Sequence, residues 1–324
     1  MDTEAPLVFA LGSSRPLGAA IAARRGGELA AHEEREFEDG EHKARPLVSV
    51  RGRDAFVVHS LYGEPGHGVN DKLLRLLFFV GALRDASAGR VTAVVPYLAY
   101  SRKDQKSKSR DPVTTRYVAS FFEAAGADCV VTLDVHNLAA FQNAFRCRAE
   151  NLESAALLAR SIAPMIGAAE ACVVSPDAGG IKRADRFRIG LEVILGRPVG
   201  AAFVEKYRSE GVLRGDQLVG DVKGRVAILV DDLIASGRTL ERAAGACRRN
   251  GAARVLAAAA HGLFCGDAAS VLASGAIERI VVTDTVPGTH LDAALVPLVD
   301  YVPIADLFAD AISRLHCGGS LSEL

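Results

Sequence analysis

Short apolar runs alternate with helical patterns along most of the chain, and this alternation limits the fold more than any other feature. Helical patterns with a 3.6-residue period include residues 70–84 and 114–125. Short apolar runs separated by helices are typical of parallel strands whose faces are both covered. The pattern therefore predicts an α/β protein with a mainly parallel sheet. The apolar runs are residues 7–11, 55–59, 91–96, 129–133, 172–175, 199–204, 226–230, 255–260 and 280–282.

The series of runs is interrupted near residues 151–154 and then begins again with a helix and a strand. We therefore predict two similar domains, residues 1–153 and residues 154–324. A chain of 324 residues with 49% hydrophobic residues is long enough to give each domain its own core. The last helical pattern, residues 305–315, is compatible with packing on either domain.

The overall charge is balanced, with 38 Lys and Arg against 39 Asp and Glu and a net charge of −1. Such a chain has no general positive field to hold it on nucleic acid or on an anionic membrane. No apolar run reaches the length of a membrane span, and the N-terminal residues do not resemble a secretory signal. We predict a cytoplasmic protein without a nucleic-acid or membrane partner. The six cysteines have no C-x-x-C spacing and are given no function.

The run at residues 226–230 leads into two carboxylates, Asp231 and Asp232, and then into a turn of small and hydroxyl residues. Backbone N–H groups of such a turn, at the start of a helix, bind an anion such as phosphate. The carboxylates suit the vicinal hydroxyls of a sugar, so the string predicts a ribose 5-phosphate site. The alternative is an ordinary strand-to-helix turn with acidic caps. The turn residues are Ala235, Ser236, Gly237, Arg238 and Thr239.

Two further polar strings follow apolar runs. Asp177 lies in the segment Ser-Pro-Asp-Ala-Gly-Gly and offers a hard oxygen ligand for a magnesium ion. His136 follows the run 129–133 and stands near Asp134, which makes it a catalytic or metal-binding candidate. A Pro-Asp turn and a structural histidine are the respective alternatives.

Three other segments are weaker candidates. Residues 37–41 combine an aromatic ring with acceptors and are compatible with purine binding, although an exposed turn is the alternative. Residues 97–104 open a basic tract suited to nucleotide phosphates, or simply a solvated loop. Residues 204–221 form a polar segment that predicts either a mobile lid or an exposed hairpin, and cations on a closing lid stabilise a transferring phosphoryl group.

Taken together, residues 37–315 resemble the ribose-phosphate pyrophosphokinase (PRPP synthetase) family. The resemblance implies two tandem phosphoribosyltransferase-like domains, and an ATP site to which the N-terminal domain of a neighbouring subunit contributes. The implied cofactor is Mg²⁺, with magnesium-linked roles for His136 and Asp177, and His136 also counts as catalytic. The lid cations would be Lys206 and Arg208. The matching ATP-site residues are Phe37, Asp39, Glu41, Arg102 and Asp104.

The chain departs from the family pattern at three places. Lys103 stands where the family often has glutamine, so that either adenine recognition differs or Lys103 contacts the ATP phosphates, and Lys103 is counted among the ATP-site residues. Ala235 replaces an acidic residue that is common in bacterial members, and the segment after His136 is one residue longer than usual.

The resemblance implies an enzyme that transfers a diphosphoryl group from ATP to ribose 5-phosphate, giving 5-phosphoribosyl 1-diphosphate (PRPP) and AMP. It also implies a homo-oligomer, a hexamer or a dimer. The alternatives are a phosphoribosyltransferase that consumes PRPP and a non-catalytic regulatory homologue.

Overall fold

The computed structural model describes residues 4–209, 212–322 and 324, with the side chains of residues 206–216 and 290 outside the description. The described chain divides into two compact units. One comprises Met1–Glu153 together with Ile304–Leu324, and the other comprises Ser154–Pro303. None of the described helices is both long enough and apolar enough to cross a membrane.

The first unit is built on a five-stranded parallel sheet with the strand order β1-β4-β5-β6-β7. β4 and β6 are buried at every residue, as expected for parallel strands covered on both faces. The elements of this unit are β1 (Leu7–Ala10), α1 (Arg15–Arg24), β2 (His32–Glu36), β3 (His42–Pro46), β4 (Asp54–Val58), α2 (Val69–Asp85), β5 (Arg90–Val95), α3 (Thr114–Ala124), β6 (Cys129–Leu133), α4 (Leu138–Ala144) and β7 (Arg148–Leu152).

Strands β2 and β3 form an antiparallel hairpin that is a separate two-stranded sheet. The sequence pattern does not predict this hairpin, because β2 reads His-Glu-Glu-Arg-Glu and contains no apolar residue.

The last helix of the chain packs on the first unit, against α1. Arg25 Nε donates to Ser313 Oγ at 3.0 Å, and Arg90 donates to the backbone carbonyl of Leu315 at 2.9 Å. His316 Nδ1 lies 2.8 Å from Asp54 Oδ2. The helical pattern at residues 305–315 therefore forms a helix that belongs to the first unit. In chain order this helix is α9 (Ala305–Cys317).

The second unit has a seven-stranded sheet with the order β10-β9-β8-β11-β12-β13-β14. All neighbours pair in parallel except β9 and β10, which form an antiparallel hairpin. Its elements are α5 (Ala155–Ile166), β8 (Ala171–Ser175), α6 (Ile181–Leu195), β9 (Gly200–Ser209), β10 (Val212–Val219), β11 (Val226–Ile234), α7 (Arg238–Arg249), β12 (Arg254–Gly262), α8 (Ala268–Leu272), β13 (Arg279–Thr283) and β14 (Val299–Val302).

Alternate residues of the central strands enter two separate cores, one on each face of this sheet. Ala227 and Leu229 of β11 pack in the same core as α7, whereas Ile228 and Val230 pack in the same core as α5 and α6. Burying each of the larger side chains stabilises the fold by roughly 1.5–3 kcal/mol. The covered faces explain why these strands read as continuous apolar runs.

Candidate active site

At the centre of the second unit's sheet, between β8 and β11, the order in which the chain adds strands reverses. From β8 the chain crosses through α6 to β9 on one side, and from β11 it crosses through α7 to β12 on the other. In open α/β sheets, ligands bind beyond the carboxyl ends of the two strands at such a point. The Asp177 segment follows β8 and the 235–239 turn follows β11, so both predicted motifs lie at this position.

Strand β11 extends to Ile234, four residues beyond the predicted end at residue 230, because its pairing with β12 continues to Gly262. Asp231 and Asp232 therefore lie within the strand and not after it. Asp232 is buried and Asp231 is half-buried.

Burial, together with the neighbouring carboxylate of Asp232, raises the pKa of Asp231 to about 8. Arg183 of α6 counteracts this shift. Its Nη1 atom lies 3.5 Å from Asp231 Oδ1 and 3.6 Å from Asp232 Oδ1. One cation thus lies near both carboxylates, and Arg183 was not among the residues predicted from the sequence. The sequence feature that could have pointed to Arg183 is that it is a basic residue six positions after Asp177.

The turn between β11 and α7 is partly open at Ala235, Ser236 and Thr239. Gly237 has φ +74°, and a Cβ atom there would lie 2.6 Å from Leu272 Cγ. Glycine is therefore required both by the backbone angle and by the close packing of α8. The guanidinium of Arg238 is exposed and pairs with Asp267.

The Asp177 segment forms a 3₁₀ turn (Ala178–Gly180) after β8. Asp177 Oδ1 accepts a hydrogen bond from Gly180 N at 3.1 Å, and Ser175 Oγ donates to the Asp177 carbonyl at 2.6 Å. The turn lies against β11 and β9, so the Asp177 carboxylate is held beside the Asp231 strand.

The backbone of Lys206 and Arg208 lies in β9, where Lys206 pairs with Asp216 and Arg208 with Leu213 of β10. Their side chains lie outside the described residues. The predicted lid role of these two cations stays a prediction.

In the first unit, the loops after β5 and β6 meet through a hydrogen bond. Asn137 Nδ2 donates to Asp104 Oδ2 at 2.7 Å, and Asn137 Oδ1 caps α4 by accepting from Ala140 N at 3.1 Å. His136 is exposed beside this contact, and Arg102 is exposed two residues before Asp104. The structure therefore brings Arg102, Asp104 and His136 to one edge of the sheet. Asn137 was not among the residues predicted from the sequence.

Lys103 is engaged within its own loop. Its Nζ atom lies 2.6 Å from Asp111 Oδ2 and 2.9 Å from Ser107 Oγ. Two of the three ammonium donors of Lys103 are therefore engaged inside the loop.

Phe37, Asp39 and Glu41 occupy the turn of the β2–β3 hairpin. Asp39 Oδ1 accepts from Glu41 N at 3.0 Å, and the guanidinium of Arg35 lies 4.8 Å from the centre of the Phe37 ring. Within the described part of the chain, no hydrogen bond joins this turn to Arg102 or Asp104.

Two family profiles cover most of the chain. The profile described as the N-terminal domain of ribose phosphate pyrophosphokinase matches residues 7–126. The profile described as the phosphoribosyl synthetase-associated domain matches residues 215–324. The ribose-phosphate pyrophosphokinase of Caldanaerobacter subterraneus subsp. tengcongensis is 37% identical over 318 residues, which cover 98% of this chain and 96% of the relative. The chain belongs to the ribose-phosphate pyrophosphokinase family.

Other members of the ribose-phosphate pyrophosphokinase family agree over the same length. The enzyme of Granulibacter bethesdensis is 37% identical over 318 residues, which cover 98% of this chain and 99% of the relative. The crystal structure of phosphoribosylpyrophosphate synthetase from Mycobacterium smegmatis superposes with a TM-score of 0.87 at 33% identity, covering 98% of this chain and all of that one. The predictions of family, fold class and enzyme class are confirmed. The site residues of this chain remain predictions.

Proposed function

We propose that the chain transfers the β,γ-diphosphoryl group of ATP to the 1-hydroxyl of ribose 5-phosphate, giving PRPP and AMP. The hydroxyl oxygen bonds to the β-phosphorus as the bond from that phosphorus to the α,β-bridging oxygen breaks, and the hydroxyl proton is released. The observation that carries this proposal is that the Asp231 and Asp232 pair lies beside the 235–239 turn at the centre of the sheet, in a chain of this family.

Ribose 5-phosphate binds at the carboxyl end of β11. The backbone N–H groups of residues 235–239 and the hydroxyls of Ser236 and Thr239 donate to the 5-phosphate at the start of α7. Asp231 and Asp232 accept hydrogen bonds from the ring hydroxyls. This arrangement fixes the sugar so that its 1-hydroxyl is oriented for attack.

ATP is held by the hairpin turn and the loop after β5. Phe37 offers a ring face for the base, and the guanidinium of Arg102 is exposed for the phosphates. The remaining residues proposed for this site are Asp39, Glu41, Lys103 and Asp104.

A magnesium ion is the proposed cofactor. No cluster of three or more histidine, cysteine, aspartate or glutamate side chains in the described chain forms a ready-made metal cage. Magnesium is commonly held by one or two carboxylates together with substrate phosphates and water, so the half-buried carboxylate of Asp177 fits an ion that arrives with ATP. When bound, the ion neutralises charge on the transferring phosphates. His136 lies exposed at its own sheet edge as the second proposed magnesium-linked residue.

Lys206 and Arg208 of β9 act as cations on the transferring group. No covalent intermediate is required, since positioning and charge stabilisation account for phosphoryl transfer.

The proposed state is a cytoplasmic homo-oligomer, either a hexamer or a dimer, without a nucleic-acid or membrane partner. In support, α2 and α3 expose large apolar side chains: Phe78 is 57% exposed, Tyr117 53% and Phe121 52%. Apolar faces of this kind suit contact with a second copy of the chain. The net charge of −1 does not favour general binding to polyanions.

The test is a phosphorus NMR time course of the purified protein with ATP, ribose 5-phosphate and magnesium chloride. We expect AMP and PRPP to appear in equal amounts, and neither to appear when ribose 5-phosphate is omitted. Absence of both products with every nucleoside triphosphate and divalent ion tried would overturn the proposal and favour a regulatory homologue. Base-dependent diphosphate release from PRPP would instead favour a phosphoribosyltransferase.

A further inference from the structure

The hairpin that carries Phe37, Asp39 and Glu41 is not a part of the main sheet of its unit. Its strands pair only with each other, from His32 opposite Pro46 to Glu36 opposite His42. One backbone hydrogen bond, from Ala30 N to Val8 O at 2.8 Å, joins the residues before the hairpin to β1. The position of the turn therefore depends on side-chain contacts made by the two hairpin strands.

Glu34 connects the hairpin to the end of β1. Its Oε1 atom accepts a hydrogen bond from the backbone N–H of Gly12 at 2.9 Å, in the 3₁₀ turn (Gly12–Ser14) that follows β1. The same oxygen lies 3.1 Å from His32 Nε2, and Oε2 lies 3.5 Å from His42 Nε2. One carboxylate thus joins both hairpin strands to the end of a core strand.

The surroundings of Glu34 keep it charged although it is largely covered. Its side chain is 20% exposed, and those of His32 and His42 are 1% and 5% exposed. Burial by itself raises the pKa of Glu34, but the hydrogen bonds from His32 and Gly12 outweigh that effect and lower it to about 2. Hydrogen bonds to an ionised group of this kind are stronger than those between neutral groups.

Two further contacts hold the same strand. Arg75 of α2 pairs with Glu36. The His32 ring lies 6.0 Å from the Phe9 ring and 5.3 Å from the Phe79 ring, centre to centre. Glu34 lies between these two anchors and three residues before Phe37, so its contact with Gly12 fixes the direction in which the turn leaves the core.

We propose that Glu34 is a positioning residue for the ATP site: its carboxylate holds the β2–β3 hairpin on the Gly12 turn and so presents Phe37, Asp39 and Glu41 to the nucleotide. The inference rests on the proposed function, because it takes that turn as part of an ATP site. Glu34 touches no substrate in this arrangement. Its removal therefore weakens ATP binding without removing a group that acts on the transferring phosphates.

The experiment compares the wild-type enzyme with Glu34→Gln and Glu33→Gln. Glu33 is the matched control, because it is the adjacent residue of β2 and its carboxylate pairs with Arg45 at 2.5 Å, away from Gly12. KM for ATP, KM for ribose 5-phosphate, kcat and Tm are measured for each protein. We expect Glu34→Gln to raise KM for ATP roughly tenfold, with KM for ribose 5-phosphate and kcat within about twofold of wild type. Glu33→Gln is expected to behave as wild type.

Unchanged KM for ATP in an active Glu34→Gln enzyme would overturn the inference, and so would an equal rise in both KM values. A lowered Tm with wild-type kinetics would assign Glu34 to stability alone and overturn it too. If Glu34→Gln does not fold, Arg75→Met releases the other end of the strand, and the same selective rise in KM for ATP is expected. A wild-type enzyme that makes no PRPP would refute the proposed function, which is a separate outcome.

Discussion

Lys103 Nζ lies 2.6 Å from Asp111 Oδ2, and this ion pair closes the loop that follows β5. The same carboxylate oxygen accepts hydrogen bonds from the backbone N–H groups of Ser107 and Lys108 at 3.0 Å and 2.9 Å. Lys103 and these donors hold the pKa of Asp111 well below its usual range. Lys103 is thus matched by a carboxylate eight residues later, and the pair shapes the loop beside Arg102 and Asp104.

Removing the acceptor of this loop should weaken ATP binding. In Asp111→Ala, Lys103 and two backbone N–H groups lose their partner, so we expect faster amide hydrogen exchange in residues 103–111 and a rise of about tenfold in KM for ATP. Lys106→Ala in the same loop is the control and should leave both unchanged. Wild-type KM for ATP in Asp111→Ala would contradict a role of the loop in nucleotide binding.

Replacing the first cation of β9 should affect turnover and not binding alone. We expect Lys206→Ala to lower kcat by roughly a hundredfold or more, by analogy with loss of one charge-stabilising donor at a transition state. Glu205→Ala changes the exposed neighbour and should keep kcat near wild type. The measurement is the steady-state rate of AMP formation. Near-normal turnover in Lys206→Ala would refute the proposal that Lys206 stabilises the transferring group.

Arg183 should favour the ionised form of the Asp231 and Asp232 pair, because its charge opposes the rise in the pKa of Asp231. In Arg183→Met the pKa of the pair rises further, so we expect KM for ribose 5-phosphate to increase about tenfold at pH 7 and to recover partly at pH 9. The exposed neighbour Lys182, changed to Met, is the control. A pH-independent change in KM would show that Arg183 acts by packing and not through charge.

The raised pKa of Asp231 should also appear in the stability of the ligand-free protein. A group whose pKa is higher in the folded state than in the unfolded state stabilises the fold below the unfolded value, near 4, and loses that contribution as the pH approaches 8. We expect the free energy of unfolding to fall more steeply in wild type than in Asp231→Asn between pH 5 and pH 8. Urea unfolding in EDTA measures this, and parallel pH profiles would contradict the shift.

Gly237 combines a positive φ with a close approach to α8, and a matched glycine separates the two effects. Gly275 has φ +79° and no atom within 4 Å of an added Cβ, so Gly275→Ala tests the backbone angle alone. We expect Gly275→Ala to cost about 1 kcal/mol in the free energy of unfolding, and Gly237→Ala to cost a further 1–3 kcal/mol. Gly237→Ala should also weaken ribose 5-phosphate binding, measured by titration calorimetry. Equal losses of stability would show that Leu272 moves aside freely.

The sequence by itself determined the α/β class and the central strands, because parallel strands covered on both faces are largely apolar, as in β4, β6 and β8. It also predicted functional roles for Asp177 and the 231–239 string, and the structure places both at the centre of the second unit's sheet, where their roles remain predictions. It did not predict the β2–β3 hairpin, whose polar strands are held by Glu34, His32 and Arg75 from distant parts of the unit.

Only the tertiary structure showed which distant residues contact these motifs. Arg183 reaches the Asp231 pair, Asn137 reaches Asp104 and α9 returns to the first unit, in each case through contacts that span many residues of chain. Local patterns record which face of a strand or helix is buried. They do not record which distant side chain completes a charged site, because that depends on how the strands are ordered in the sheet.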